Sequence, residues 1–234
     1  MKNSGDDIHV ATSGWTFDGI EDSFDSHISK SVPLYLTAHE LAVEASDFFI
    51  RDRSIVYDIG CSTGTFLNKL WARKKDKSPR LVGIDTVESM IQHAENNRAD
   101  PSISFLCASV YEVDFDPSSM ITSFYTIQFI PPSIRQDVIN RVYNSLEWGG
   151  AFLFFEKVRA PDARFQDISS QLYTEFKMRN GYAADEILQK QMSLKSVLEP
   201  FSSQGNLELL KRAGFVDIMP IFRYVFFEGL LCIK

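Results

Sequence analysis

Apolar positions along this chain fall into two kinds of pattern, short continuous runs and longer stretches of helical spacing. The first thirty residues show neither pattern and read as irregular, with Trp15 and Phe17 pinning the segment to the main body. Residues 33–50 have helical spacing, with Leu36, Leu41, Val43 and Phe48-Phe49 able to share one stripe. The pattern then alternates. Runs at 54–59, 80–84, 104–107, 120–127 and 151–155 predict buried strands, and 66–71, 88–97 and 134–146 predict helices between them. Glu147-Trp148-Gly149-Gly150 reads as a turn before the fifth strand. This alternation predicts a mostly parallel sheet covered on both faces. Residues 165–198 read as an inserted helical section, and 206–213 as a helix stopped by Gly214. The tail, 215–234, holds two apolar runs near Pro220 and Gly229 that suit an antiparallel hairpin on the sheet edge. The expected organisation is one domain over 1–234, with an N-terminal cap over about 1–50 and a helical insertion over about 160–200.

Composition narrows the class. A chain of 234 residues suits one α/β core, and 44% hydrophobic with 24% charged residues is ordinary globular composition. No apolar run has membrane length, and residues 1–10 lack the basic and apolar parts of a signal peptide, so a cytoplasmic protein is expected. Cys61, Cys107 and Cys232 are far apart and show neither metal spacing nor a disulfide framework, which fits a reducing compartment and no metal site. The net charge of -7 disfavours nucleic acid as a partner. The one basic run, Arg73-Lys74-Lys75-Asp76-Lys77, reads as the solvated end of a helix. A small-molecule substrate is therefore expected. His9, His27, His39 and His93 form no informative spacing with carboxylates or cysteines and read as structural or surface residues.

The strongest local signal is Asp58-Ile59-Gly60-Cys61-Ser62-Thr63-Gly64, between a buried strand and a helix. Glycines there remove side chains where a ligand approaches the backbone, and the helix N-terminus offers unpaired N–H groups. The second strand ends in Gly83-Ile84-Asp85, where an acid can accept both hydroxyls of a ribose. The spacing is not that of a dinucleotide fingerprint. It resembles the S-adenosylmethionine (SAM) signature of class I methyltransferases, with Ser62 in place of the middle glycine. That resemblance implies a Rossmann-like fold with the methionine part of SAM over the loop. It places the amino group on Asp58, the adenine near Ala108-Ser109-Val110, and the acceptor near residues 125–129. The cofactor-binding set implied is Tyr35, Asp58, Gly60, Cys61, Ser62, Gly64, Asp85, Thr86, Met90, Ser109, Val110 and Phe124.

A narrower resemblance runs through almost the whole chain. The blocks Trp15-Thr16-Phe17-Asp18, Ser31-Val32-Pro33-Leu34-Tyr35, residues 56–62, Thr126-Ile127-Gln128-Phe129, Glu156-Lys157, Phe176-Lys177, Asn180-Gly181-Tyr182 and Gln189-Lys190 are similar to blocks of the carboxy-SAM synthase family. Members make carboxy-SAM from SAM and prephenate for a tRNA wobble modification, and the resemblance implies a homodimer. Three positions depart from the family pattern. Gln191 stands where the synthase has the arginine that holds the added carboxylate, Phe124 replaces an asparagine, and Ser109 replaces an aspartate. A neutral amide cannot supply the cationic fork of an arginine. Lys190 and Lys195 are the nearby cations in sequence, with Lys195 read as one helical turn beyond Gln191.

These departures favour a relative that uses ordinary SAM, a methyltransferase with a small-molecule acceptor and S-adenosylhomocysteine as product. In-line methyl transfer depends chiefly on alignment, worth up to roughly 7–11 kcal/mol in ideal cases. Tyr35, Tyr125, Gln128 and Tyr182 are the candidates to line the reaction pocket, and aromatic faces can steady a sulfonium. Glu156 reads as a charge paired with Lys157 rather than as a base. The alternatives are carboxy-SAM synthesis, intramolecular cyclisation of SAM, and a SAM-binding module without catalysis.

Overall fold

Strand β1 (Ile55–Ile59) is the axis of the molecule, and its residues are buried on both sides of the sheet. Val56 packs into one apolar cluster with Leu67, Leu81, Met120 and Leu153. Its neighbours Tyr57 and Ile59 enter the opposite cluster with Val82, Ile121, Phe152 and Val138. Successive strand side chains point to opposite faces. A strand covered twice therefore reads as a continuous apolar run instead of an alternating one.

The computed structural model describes residues 19–234. The Trp15 and Phe17 anchors, the 15–18 block and His9 lie outside the described residues. The other strands are β2 (Arg80–Asp85), β3 (Ile103–Cys107), β4 (Ser118–Phe124), β5 (Leu146–Lys157), β6 (Asp217–Tyr224) and β7 (Phe227–Ile233). They form one seven-stranded sheet in the order β3-β2-β1-β4-β5-β7-β6. β1 to β5 pair in parallel, while β7 runs antiparallel to both β5 and β6. The expected class and the C-terminal hairpin are both present. Strand order reverses between β1 and β4, and in open α/β sheets that switch point opens a crevice at the carboxyl ends.

The helices are α1 (Phe24–Ser31), α2 (Tyr35–Ala45), α3 (Thr65–Lys74), α4 (Glu88–Asn96), α5 (Pro132–Ser145), α6 (Ala163–Arg179), α7 (Ala184–Ser193) and α8 (Ser203–Ala213). Among the described residues none is long and apolar enough to cross a membrane.

Several sequence expectations are corrected. Residues 24–31 are helical, with Phe24 and His27 buried. On α2 the buried face is Ala38, His39 and Ala42, while Leu36 and, beyond the helix, Phe48 are exposed, because small residues allow the helix to sit close. β4 stops at Phe124 because Tyr125 takes φ 58, the left-handed region that ends a strand. Residues 147–150 belong to β5: the Gly149 amide donates to Lys234 O (2.8 Å), Lys234 N donates to Gly150 O (3.0 Å), and the register shifts opposite Ser118 and Met120. The basic run does end α3, but Lys74 is buried and pairs with Asp47.

Candidate functional site

The carboxyl ends of β1, β2, β4 and β5 open into a cavity of about 1110 Å³. At the β1–β2 end its wall is made by backbone. Gly60 and Cys61 N–H both donate to Ile84 O, at 2.7 and 3.1 Å, so these amides tie the loop to β2. Ser62 N–H donates to Asp85 Oδ2 (2.9 Å) and Val87 N–H to Asp85 Oδ1 (3.0 Å). Asp85 thus holds both flanking loops, and burial raises its pKa against the lowering effect of those amides. Asp85 lines the cavity, and each of its oxygens has acceptor capacity beyond the one amide it accepts from.

The glycines answer a demand other than ligand approach. Gly60 has φ +74, and a Cβ there would lie 2.0 Å from Thr126 Oγ1. Gly64 has φ +75, and a Cβ would lie 2.7 Å from the Phe105 ring. Both residues let the loop close on its own neighbours. Gly60 also lines the cavity, whereas Gly64 does not.

Asp58 is buried beneath the loop and accepts a hydrogen bond from Thr122 Oγ1 at 2.7 Å. Burial, together with the charge of Asp85, pushes its pKa up to about 7. The Cys61 thiol is turned into the core, where a Cβ on Gly83 would stand 2.7 Å from its sulfur, and burial raises its pKa. Asp58, Cys61 and Gly64 therefore support the wall from below. Tyr35, Ser62, Thr86, Met90, Ser109, Val110 and Phe124 all face the cavity with Gly60 and Asp85.

The β4–β5 end is braced by side chains. Gln128 Nε2 donates to Tyr125 O (3.0 Å), and its Oε1 accepts from Lys157 N (3.0 Å), so both ends of the amide hold the left-handed turn after β4. Glu156 Oε1 accepts from Ile127 N (3.0 Å). Among the described residues Glu156 makes no ion pair within 4 Å, which corrects its reading as the partner of Lys157. Adjacent strand residues point to opposite faces. Burial pushes the Glu156 pKa up to about 8. The buried Tyr125 hydroxyl has no hydrogen-bond partner among the described residues and lines the cavity. Burial raises its pKa further above the ordinary range.

Tyr182 is not part of the cavity wall. Its hydroxyl meets His27 Nδ1 at 2.9 Å, and His27 Nε2 meets Lys190, a chain that ties α7 and the turn before it to α1. Gln191 lines the cavity from α7 and is exposed. Lys195 also lines it but lies past the end of α7, so it is not one helical turn beyond Gln191.

Two cationic residues known from sequence only as members of family blocks, Lys157 and Lys177, also reach the cavity. Lys157 Nζ lies 4.7 Å from the Tyr173 ring centroid and 5.7 Å from that of Phe226, and Lys177 Nζ lies 4.4 Å from the Tyr173 centroid. Lys157, Lys177, Tyr173 and Phe226 all line the cavity. Loss of hydration lowers both lysine pKa values to about 8, with the charge of Lys177 adding to the effect at Lys157. Tyr173 and Lys177 are four residues apart on one helix, a spacing readable in sequence. Nothing in sequence places Lys157 beside them.

Residues 56–150 match a family model described as a methyltransferase domain. The carboxy-S-adenosyl-L-methionine synthase of Staphylococcus epidermidis is 35% identical over 222 residues, covering 94% of this chain and 97% of that protein. The synthase of Nautilia profundicola is 37% identical over 213 residues, covering 90% of each. The solved structure of human N-acetylserotonin methyltransferase in complex with SAM matches with a TM-score of 0.57 at 15% identity, over 92% of this chain and 53% of that one, which speaks for the fold alone. With the sheet order, the Asp85-organised loop and full-length relatives in agreement, the chain belongs to the carboxy-S-adenosyl-L-methionine synthase family and is a SAM-dependent transferase on the class I methyltransferase fold.

Proposed function

We propose that this protein is a methyltransferase that uses ordinary SAM and acts on a small-molecule acceptor. The observation that carries the reading is the cavity, continuous from Asp85 to Lys157 with a volume of about 1110 Å³. That exceeds the roughly 300–1,000 Å³ usual for a pocket holding one drug-sized ligand. Cyclisation of SAM or simple storage of it needs only one occupant.

The donor set at the β1–β2 end fits the adenosyl group. Asp85 is assigned to the ribose, Thr86, Met90, Ser109 and Val110 to the adenine, and Tyr35 and Phe124 to the aromatic surface around the sulfonium. Asp58 lies below the loop, where a nearby ammonium would lower its raised pKa and hold it ionised. Bound SAM supplies an electrophilic methyl group. The chain contributes orientation and exclusion of water, and Tyr125 Oη, protonated at neutral pH, is a donor that can orient the acceptor. Glu156 is committed to the Ile127 amide and is not assigned as a base.

Carboxy-SAM synthesis is the second reading, supported by the full-length relatives and by the lysines in the cavity wall. Gln191 weighs against it, because an unpaired carboxylate costs several kcal/mol to bury. Mass spectrometry separates the readings. S-adenosylhomocysteine formed with candidate acceptors supports methyl transfer. Robust carboxy-SAM from SAM and prephenate by the unaltered protein overturns it, and methylthioadenosine points to cyclisation or cleavage.

We also propose a homodimer. Phe165, Ile168 and Leu172 on α6 and Leu188 and Met192 on α7 are exposed apolar residues at helical spacing, which supports self-association. A monomer mass by light scattering at micromolar concentration would count against it.

A further inference from the structure

We infer that Lys157 and Lys177, with the Tyr125 hydroxyl, form an anion subsite that holds a carboxylate of the acceptor. Both ammonium groups sit against the Tyr173 ring, Lys157 at 4.7 Å and Lys177 at 4.4 Å. Among the described residues neither has a carboxylate within ion-pair distance; burial is the main effect on both, and the charges that act on Lys157 are the cations Lys177 and Arg159. Two ammonium groups withdrawn from water on one wall, with no counter-charge, leave a local positive field that an anion would neutralise. An independent observation points to the same place. Tyr125 packs on the Phe227 ring (centroids 5.6 Å apart) that Tyr173 also touches (5.3 Å), and its buried hydroxyl has no partner among the described residues; an unsatisfied buried donor calls for an acceptor atom. Tyr173, Phe226 and Phe227 supply an apolar surface beside the charges, which suits a carboxylate on an aromatic or apolar body more than a bare phosphate.

The carboxylate of SAM itself is the other candidate for this charge, and topology separates the two. The cofactor residues lie at the ends of β1 and β2 and after β3, whereas Lys157 ends β5, on the far side of β4 from β1. At about 4.8 Å per strand, β5 is about 10 Å from β1 and about 14 Å from β2. The subsite therefore belongs to the acceptor side. This inference rests on the reading that SAM occupies the β1–β2 end.

Calorimetry on the full chain saturated with S-adenosylhomocysteine tests it, with benzoate, phosphate and neutral benzyl alcohol as probes. Benzoate is expected to bind more tightly than either of the others. Lys157→Met and Lys177→Met should each weaken benzoate about tenfold, the scale of a hydrogen bond to a charged group, while S-adenosylhomocysteine affinity stays within about twofold. Lys157→Arg and Lys177→Arg should retain benzoate binding. Equal binding of benzoate and benzyl alcohol, phosphate binding as tight as benzoate, or methionine variants that keep wild-type benzoate affinity would each overturn the assignment. Loss of S-adenosylhomocysteine with benzoate unchanged would move the lysines to the cofactor and overturn it too. If the methionine variants do not fold, the wild-type probe series and the arginine variants still decide. Failure of the wild type to bind S-adenosylhomocysteine would instead count against the cofactor assignment, and benzoate titrated into the cofactor-free protein would still read the lysine site.

Discussion

The two ends of the cavity are built by different means. At the β1–β2 end, main-chain amides of Gly60, Cys61, Ser62 and Val87 are spent on Ile84 and Asp85, and all the parts come from about thirty consecutive residues. At the β5–α6 end, Tyr125, Lys157 and the Tyr173–Lys177 pair come from three separate stretches and meet through rings and charges. A site made from contiguous backbone carries a spacing signature. A site made from side chains on separate elements carries none, because a change at one position can be compensated at another. On the function proposed above, the first end takes the cofactor and the second the acceptor.

The largest effect should come from the foundations that the two ends share. Asp58 below one end and Glu156 below the other have pKa values raised to about 7 and about 8 by burial, against about 4 in an unfolded chain. Between those values the folded state holds more protons than the unfolded one. Their contribution to stability is fully present below about pH 4 and is lost as pH rises through about 7 and about 8. Urea unfolding should show a fall on the order of several kcal/mol from pH 4 to pH 8. Asp58→Asn should remove the part ending near pH 7, and Glu156→Gln the part ending near pH 8. A flat profile in the unaltered protein would mean that neither acid is perturbed as described.

Next in size is the cofactor end alone. Asp85→Ala should weaken S-adenosylhomocysteine binding by about 1.5–3 kcal/mol, the scale of hydrogen bonds to a charged group. Benzoate affinity, measured on the same folded variant, should not change. Equal loss at both ends would mean that the cavity behaves as one unit and would break the comparison.

A smaller effect is expected where the acceptor end is tied to the N-terminal helices. The Tyr173 hydroxyl donates to Ser31 O at 2.7 Å. Tyr173→Phe should cost about 1 kcal/mol in thermal or urea unfolding, while the ring beneath both lysines is kept. Smallest of all, Tyr125→Phe should leave the melting temperature within error, since the hydroxyl satisfies nothing among the described residues. It should still lower benzoate affinity. A clear loss of stability would show that the hydroxyl already has a partner, such as a buried water.

The loop from Asp58 to Gly64 and the acid at Asp85 were legible because each is a local device, a strand end, a turn and a charge at fixed separation. What each part does there was less legible. Gly60 and Gly64 are required by Thr126 and Phe105, which lie 66 and 41 residues away in the chain and close in space. Gln128, placed in the pocket by resemblance, does line it, and its amide also braces the turn after β4. Tyr182 was placed there too, yet it is held by His27 outside the wall.

The apolar runs and helical stretches by themselves determined the α/β class, the doubly covered sheet and the antiparallel edge, because periodicity reports which faces of each element are removed from water. Only the tertiary structure decided that β4 ends at Phe124, that Glu156 turns away from Lys157, and that Lys157 and Lys177 share one ring. Those outcomes depend on which elements lie side by side, and the energy that selects among neighbours is spread over many contacts, none of them local in sequence.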